Sequence, residues 1–368
     1  MGLKYTVFAG AVAISLAAGA LSAQAAVSAT AQDPLAALKA AHAGPPANLP
    51  AAASPAKAST PSRPIVWPGA SSTAAAKTSA APTTPTFSIE SLSPVPGHGE
   101  AAVFLSAHPD DFLLFNNPSQ DAAANARMIY IFVTAGDAGL GAGPPNAPYY
   151  LAREAAAIKS IRFMADAARP WQETATPTNV TVNGHSIFKY SYRSSVAYFL
   201  RLPDGNGAGE GFAGTGNVSI VKLYNGSLNA LSSVENSTSY NGWPDLVSTV
   251  SAIVKSEISG QAGVWINAND TDESKNPGDH YDHYVTGALA AAVQKALPCM
   301  NVAYHVGYAL AGATNLSRDS AVDKSGAFAA YVSGLNENNY FGAWDKTHKA
   351  WLNGLSVRLA SGFSQCSY

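Results

Sequence analysis

Apolar and polar positions along the chain predict strands and helices in turn. The mostly apolar stretches at 102–106, 128–134, 264–267 and 301–307 have the length of buried strands. Between them, apolar residues at helical spacing predict helices over 150–165 and 245–257, and an Ala-rich helix that runs through Leu297. Strands that alternate with helices predict an α/β fold: a Rossmann-like, mostly parallel sheet with helices on both faces.

The middle of the chain has a different pattern. Segments 186–192, 196–202 and 218–224 are typical of short β structure and predict a small β-rich insertion or a rim around a pocket. The Gly-rich loop from Asp204 to Gly216 lacks the strand-turn-helix context of a dinucleotide site. We therefore expect a rim loop there and no phosphate cradle.

The first 86 residues divide into two segments that precede the main domain. In residues 1–25, Lys4, an apolar run to Leu21 and the small-residue motif Ala23-Gln24-Ala25 predict a secretory signal peptide. An uncleaved anchor is the alternative, because the run approaches the ~20 residues that span a bilayer. Residues 26–86 are rich in Ala, Pro, Ser and Thr and predict a disordered linker. One domain, 87–368, remains, and we expect it to be secreted or periplasmic with no stable membrane span after cleavage.

The net charge disfavours one class of binding partner, and the two cysteines predict a covalent bond within the chain. A formal net charge of -2 with only 12% charged residues disfavours a nucleic-acid surface. The two cysteines, Cys299 and Cys366, both follow the predicted signal, so an intramolecular disulfide is expected in an oxidising compartment. Two unpaired thiols are the alternative.

Two motifs carry the candidate chemistry. His108-Pro109-Asp110-Asp111 follows the first predicted strand, and His280-Tyr281-Asp282-His283 begins the Ala-rich helix. Histidines three apart project from the same side of a helix, so both can point at one centre. Two imidazoles and one carboxylate give zinc three ligands and leave a fourth position open, which is typical of a catalytic zinc.

These residues resemble the PIG-L/LmbE-like family of zinc-dependent de-N-acetylases. The similarity extends to the strand 129–134 with the following 135–139, the helix entry Arg153-Glu154 and the strand 264–267. The resemblance implies that one Zn²⁺ per chain is bound by His108, Asp111 and His283. It further implies that Asp110 is the general base and that His280 stabilises the oxyanion.

The resemblance also implies an activity. Hydrolysis of the N-acetyl group of an amino sugar or glycoconjugate would release acetate and a free amine, with an N-acetylated sugar or polysaccharide as substrate. Asp137 and Arg153 lie in blocks whose family counterparts contact sugar hydroxyls; a surface ion pair or a helix-start contact is the alternative. Asp282 is expected to orient a ligand histidine, although a carboxylate at a helix N-terminus is also favoured by the helix dipole.

The chain departs from the commonest family pattern at two positions. Phe112 stands where many relatives carry an acidic residue, and Tyr281 replaces a proline, which bears on sugar specificity and not on the ligands. Two other functions stay open: a catalytically inactive secreted sugar-binding protein, and a zinc hydrolase of another bond such as a phosphoester. An unligated Asp110 favours an enzyme over a binder. Tyr304, His305 and Tyr308 are candidates either for the cleft wall or for the core.

Overall fold

The computed structural model describes residues 100–119, 126–144, 148–167, 173–259, 261 and 263–360. The predicted signal peptide and linker lie outside these residues, as does Cys366. The leader, the linker and the Cys299–Cys366 disulfide therefore stay predictions. In the part of the chain that is described, no helix combines the length and apolar character needed to cross a bilayer.

An eight-stranded sheet forms the centre of the molecule, in the order β10-β9-β8-β1-β2-β5-β4-β3. The five central strands, from β9 to β5, are parallel, and antiparallel strands extend both edges. The strands are β1 (Glu100–Ser106), β2 (Arg127–Thr134), β3 (Thr176–Val182), β4 (His185–Tyr192), β5 (Ser195–Leu202), β8 (Gly263–Asn269), β9 (Asn301–His305) and β10 (Val357–Ala360), with β6 (Leu231–Ser232) and β7 (Ser239–Tyr240) as a separate pair.

Helices cover both faces of the sheet. They are α1 (Tyr149–Asp166), α2 (Ile220–Tyr224), α3 (Trp243–Glu257), α4 (Tyr281–Ala296), α5 (Arg318–Glu337) and α6 (Lys346–Lys349), with a π-helical turn at Phe112–Asn116. Successive side chains of β1 point to opposite faces of the sheet. Phe104 packs in a core layer with α1 and α5, and Val103 packs in a second layer with α2, α3 and α4. The predicted α/β class, with a mostly parallel sheet between helices, is confirmed.

The predicted segments are found with shifted ends, and one is wrong. Residues 218–224 were expected as a β segment, but 220–224 form α2. The side chain of Ser219 accepts a hydrogen bond from the backbone N–H of Lys222 at 3.2 Å, so it caps a helix. A short apolar run fits either structure, and the cap decides it. The other β segments of the middle, β4 and β5, join the main sheet through β2.

Parallel pairing places the chemistry at one edge of the sheet. β1 pairs with β2 and with β8, and β2 pairs with β5, all in parallel. The residues that follow β1, β2 and β5 therefore meet at the carboxyl ends of the strands, where open α/β sheets build their sites.

Candidate metal centre

The three predicted ligands converge. His108 Nδ1 lies 3.2 Å from His283 Nε2, and the two oxygens of Asp111 lie 3.3 Å from His108 Nδ1 and 3.2 Å from His283 Nε2. All three side chains are buried, and their ligand atoms lie within 4.8 Å of one another. Residues 175 positions apart are thus brought together by the sheet.

The turn after β1 fixes the first two of these side chains. The backbone N–H of His108 donates to Asp111 Oδ2 at 2.6 Å. The hydroxyl of Thr134, at the end of β2, donates to the Ala107 carbonyl at 2.8 Å. The turn is therefore tied both to its own carboxylate and to the neighbouring strand.

His283 is oriented by Asp279, which sequence analysis missed. Nδ1 of His283 donates to Oδ1 of Asp279 at 2.8 Å, and this leaves Nε2 to face the cluster. Asp279 is held in turn by the amide of Asn276 at 2.6 Å and by the backbone N–H of Tyr308 at 3.1 Å. Asp279 lies in the loop before α4, so no periodic pattern marked it.

The charges in this cluster support one another. Burial opposes protonation of His283, but Asp111 and Asp279 outweigh it and raise the pKa of His283 to about 10. Burial likewise opposes protonation of His108, yet Asp111 leads the groups that raise its pKa well above the ordinary value. Burial alone would raise the pKa of Asp111, but His283 and His108 hold it well below its usual range. Each charged form in the cluster is thus favoured by the opposite charges beside it.

His108 also belongs to a second buried group of side chains, together with Asp204, His280 and Asp282. Its Nε2 atom lies 3.5 Å from Asp282 Oδ2 and 3.9 Å from Asp204 Oδ2, and His280 Nε2 lies 3.8 Å from Asp204 Oδ1. Asp204 follows the end of β5 and was missed as a site residue. The signal that could have marked it is an acidic residue two positions after a strand.

Asp282 is held by the chain beside it. Its Oδ2 accepts a hydrogen bond from the backbone N–H of Gly205 at 2.8 Å. A Cβ atom at position 205 would lie 2.2 Å from Asp282 Oδ1, so only glycine permits this approach. Because Asp282 Oδ2 also lies near His108, Asp282 contacts that predicted histidine ligand. Asp279 is hydrogen-bonded to the other predicted histidine ligand, His283.

The contacts of His280 fix its tautomer. Its Nδ1 accepts a hydrogen bond from the backbone N–H of Asp282 at 3.1 Å, so the ring proton of the neutral form is on Nε2. Burial lowers the pKa of His280, which favours that neutral form. His280 therefore presents an N–H donor on the side of Asp204.

Arg153 lies beside Asp110 in the interior. Its Nη2 donates to Asp110 Oδ1, its Nη1 to the Gly136 carbonyl at 2.9 Å, and its Nε to the Tyr331 hydroxyl at 3.0 Å. The residue is only 8% exposed, so the pair is not a surface ion pair. All three guanidinium nitrogens are hydrogen-bonded within the protein, so Arg153 holds the Asp110 carboxylate in position.

Asp137 is fully buried under the loop of Asp204. Its two oxygens accept hydrogen bonds from the backbone N–H groups of Asp204 and Gly141, each at 2.8 Å. Burial raises its pKa. In this arrangement Asp137 anchors loops, and its contact with sugar hydroxyls stays a prediction.

The three ring-bearing candidates in and after β9 divide between core and site. His305 is buried, lies 2.9 Å from the Asn267 side-chain oxygen, and has its pKa lowered to about 3 by burial and Lys324. The Tyr304 ring lies under the Arg358 guanidinium at 4.6 Å. The Tyr308 ring contacts His283 edge-on, with centroids 5.3 Å apart. Burial and the charge of Asp279 raise the pKa of Tyr308 well above its ordinary value.

The donor set fits a divalent metal ion. Two imidazoles and one carboxylate are zinc ligands that leave a coordination position open, and here their ligand atoms are buried within 4.8 Å of one another. The fold and this centre define an α/β protein with a buried His/Asp cluster, of a composition that suits a metal ion, at the carboxyl edge of its sheet.

The chain is similar to solved structures, but only at low sequence identity and low TM-score. No model of a protein family matches the sequence, and no curated protein matches it. Among solved structures, the chain is similar to a deacetylase triple mutant (Orf2*T) of the teicoplanin biosynthetic pathway, with 13% identity over 65% of this chain and 83% of that one and a TM-score of 0.34. It is also similar to the zinc-inhibited form of teicoplanin deacetylase Orf2, with 15% identity over 65% of this chain and 88% of that one and a TM-score of 0.33.

Proposed function

We propose that this protein is a metal-dependent hydrolase that removes the N-acetyl group from an amino sugar or glycoconjugate, releasing acetate and a free amine. The observation that carries the proposal is the meeting of His108, Asp111 and His283 in a site that also contains His280 and is flanked by Asp110. The motif resemblance to the de-N-acetylase family supports the same activity.

His108, Asp111 and His283 are the residues that would hold one zinc ion. When bound there, zinc lowers the pKa of a water molecule toward about 7 and polarises the acyl group of the substrate. Asp279 fixes which nitrogen of His283 is offered. The turn of His108 and Asp111 is likewise preformed by its own hydrogen bond. The protein therefore loses little conformational freedom when the ion binds.

Asp110 is the general base of the proposed reaction. Arg153 occupies its Oδ1 atom and fixes the carboxylate, so Oδ2 is the oxygen that takes the proton of the attacking water. Asp110 then returns that proton to the leaving nitrogen, and the C–N bond breaks. Arg153 acts through Asp110 and is a positioning residue.

His280 stabilises the negative charge that develops on the acyl oxygen. Its Nε2–H is a fixed donor because Nδ1 is engaged with the backbone. Such a preorganised donor is worth about 10²–10³ in rate in other hydrolases. Asp204, buried near both His108 and His280, is the carboxylate that would accept a hydrogen bond from a sugar hydroxyl.

Acetate release tests the proposal. The purified full chain is assayed with a panel of N-acetylated sugars and chitooligosaccharides, with its metal content measured. We expect release that requires metal and that falls at least about 100-fold in Asp110→Asn with metal content unchanged. Asp166→Asn, a change in a carboxylate that binds Arg193 at the end of α1, is the matched control.

The opposite result would favour a sugar-binding protein. Metal bound at one ion per chain, with sugar binding by calorimetry but no acetate from any panel member, would overturn hydrolysis. Export to a secreted or periplasmic location is part of the proposal. It is tested by fractionating expressing cells and sequencing the N-terminus of the mature chain.

A further inference from the structure

Tyr308 forms a wall of the candidate centre that the proposed reaction has not yet used. Its ring meets the His283 ring edge-on at 5.3 Å and stacks on the Trp351 ring at 5.3 Å with an interplanar angle of 21°. The same His283 ring lies 5.4 Å from the ring of His280. His283 thus has both rings as neighbours.

The backbone around Tyr308 holds the ring in place. The N–H of Gly307 donates to the Asn276 side-chain oxygen at 2.9 Å, and the N–H of Tyr308 donates to Asp279 Oδ1 at 3.1 Å. The indole N–H of Trp351 donates to the Tyr308 carbonyl at 3.2 Å. Because Asp279 also orients His283, one carboxylate sets the positions of both rings.

The Tyr308 hydroxyl is available to a ligand. Two neighbouring tyrosines have their hydroxyls engaged, since Tyr331 accepts from Arg153 and Tyr284 donates to the Asn276 carbonyl. Within the described residues, no hydrogen bond reaches the Tyr308 hydroxyl, and its oxygen is not completely buried. The edge-on contact of the Tyr308 ring with His283 places the phenol beside a proposed ligand.

We propose that Tyr308 is a further catalytic residue, whose hydroxyl donates a hydrogen bond to the acyl oxygen of the substrate. This inference rests on the proposed hydrolysis. In this proposal the acyl oxygen lies in front of His283, whose ring has the rings of both His280 and Tyr308 as neighbours. The phenol keeps its proton throughout, and its hydrogen bond strengthens as the C=O π electrons move onto oxygen during attack by water.

Removing one hydroxyl tests the inference. In the full chain, Tyr308→Phe keeps the ring that packs on His283 and Trp351. We expect kcat for acetate release to fall about 100-fold while KM and metal content stay close to wild type. Tyr304→Phe is the matched control, because that ring lies against Arg358 and not against His283. Its kcat should be unchanged.

A binding measurement separates this inference from the proposed hydrolysis. Methylphosphonate, a tetrahedral anion of the size of the reacting acyl group, should bind Tyr308→Phe about 10-fold more weakly than wild type and Tyr304→Phe. Equal kcat per bound metal in Tyr308→Phe and wild type overturns the inference while the hydrolysis stands. If wild type releases no acetate, the hydrolysis fails, and equal methylphosphonate affinities then overturn the role of Tyr308 independently.

Discussion

The Asp279 carboxylate lies 2.8 Å from Nδ1 of His283, on the side of the imidazole away from the ligand cluster. This contact leaves Nε2 as the ring nitrogen that faces the cluster. Asp279 sits in the loop before α4 and also accepts the backbone N–H of Tyr308. One buried carboxylate therefore connects the loop, the ligand and the aromatic wall.

Replacing Asp279 by Asn should weaken metal binding. The amide keeps the shape but removes the charge that raises the pKa of His283 and fixes its tautomer. We expect the affinity for zinc to fall about 10–100-fold, measured by competition with a chromogenic chelator. Glu273→Gln, an exposed change in the same loop, is the control. Wild-type affinity in Asp279→Asn would contradict the role of Asp279.

Metal binding should release protons. In the metal-free protein His283 keeps its proton until the pH passes about 10. A metal ion must displace that proton, so affinity should rise about tenfold per pH unit for each proton displaced, up to about pH 10. Calorimetry at pH 8 in buffers of different ionisation enthalpy measures the number released. A value of zero would show that the imidazoles are already neutral.

Lys324 should make stability depend on pH. Its ammonium donates to the carbonyls of Trp351 at 2.8 Å and Gly354 at 2.7 Å, and burial lowers its pKa from 10.5 to about 7. Between these pH values the unfolded chain binds more protons than the folded one, so the unfolding free energy rises with pH.

The test compares wild type with Lys324→Met in urea at pH 7, 8 and 9. The wild-type free energy of unfolding, less that of the variant, should increase by up to about 1.4 kcal/mol per pH unit. Lys159→Met, which removes a surface ammonium beside Glu337, is the control. A difference that stays flat or falls with pH would refute the lowered pKa.

Gly205→Ala should disturb Asp282. The added Cβ would lie 2.2 Å from Asp282 Oδ1, so the carboxylate or the loop must shift. We expect a loss of about 1–3 kcal/mol in unfolding free energy, as for other overpacked sites. Gly263→Ala in β8, where the nearest atom to the new Cβ is Glu100 Cγ at 3.6 Å, is the control. Equal stability of both variants would contradict the close approach.

Features that are continuous in the sequence could be predicted, whereas residues that only the fold brings to the site could not. The strand before His108 and the helix of His283 were predicted because their patterns are continuous, and both predicted ligand groups meet in the structure. Asp204 and Asp279 were missed because loops bring them to the site, and only the order of strands shows that β5 ends near β1. Helix α5 was missed because its apolar residues are sparse among small and polar ones.

The Trp351 ring stacks on Tyr308 and contacts Phe115 at 5.5 Å, while every proposed ligand precedes residue 284 in the chain. During translation, the ribosome therefore delivers the complete ligand set before the residues that enclose it. Residues that come after every proposed ligand in the chain therefore supply the Tyr308 and Trp351 side of the site.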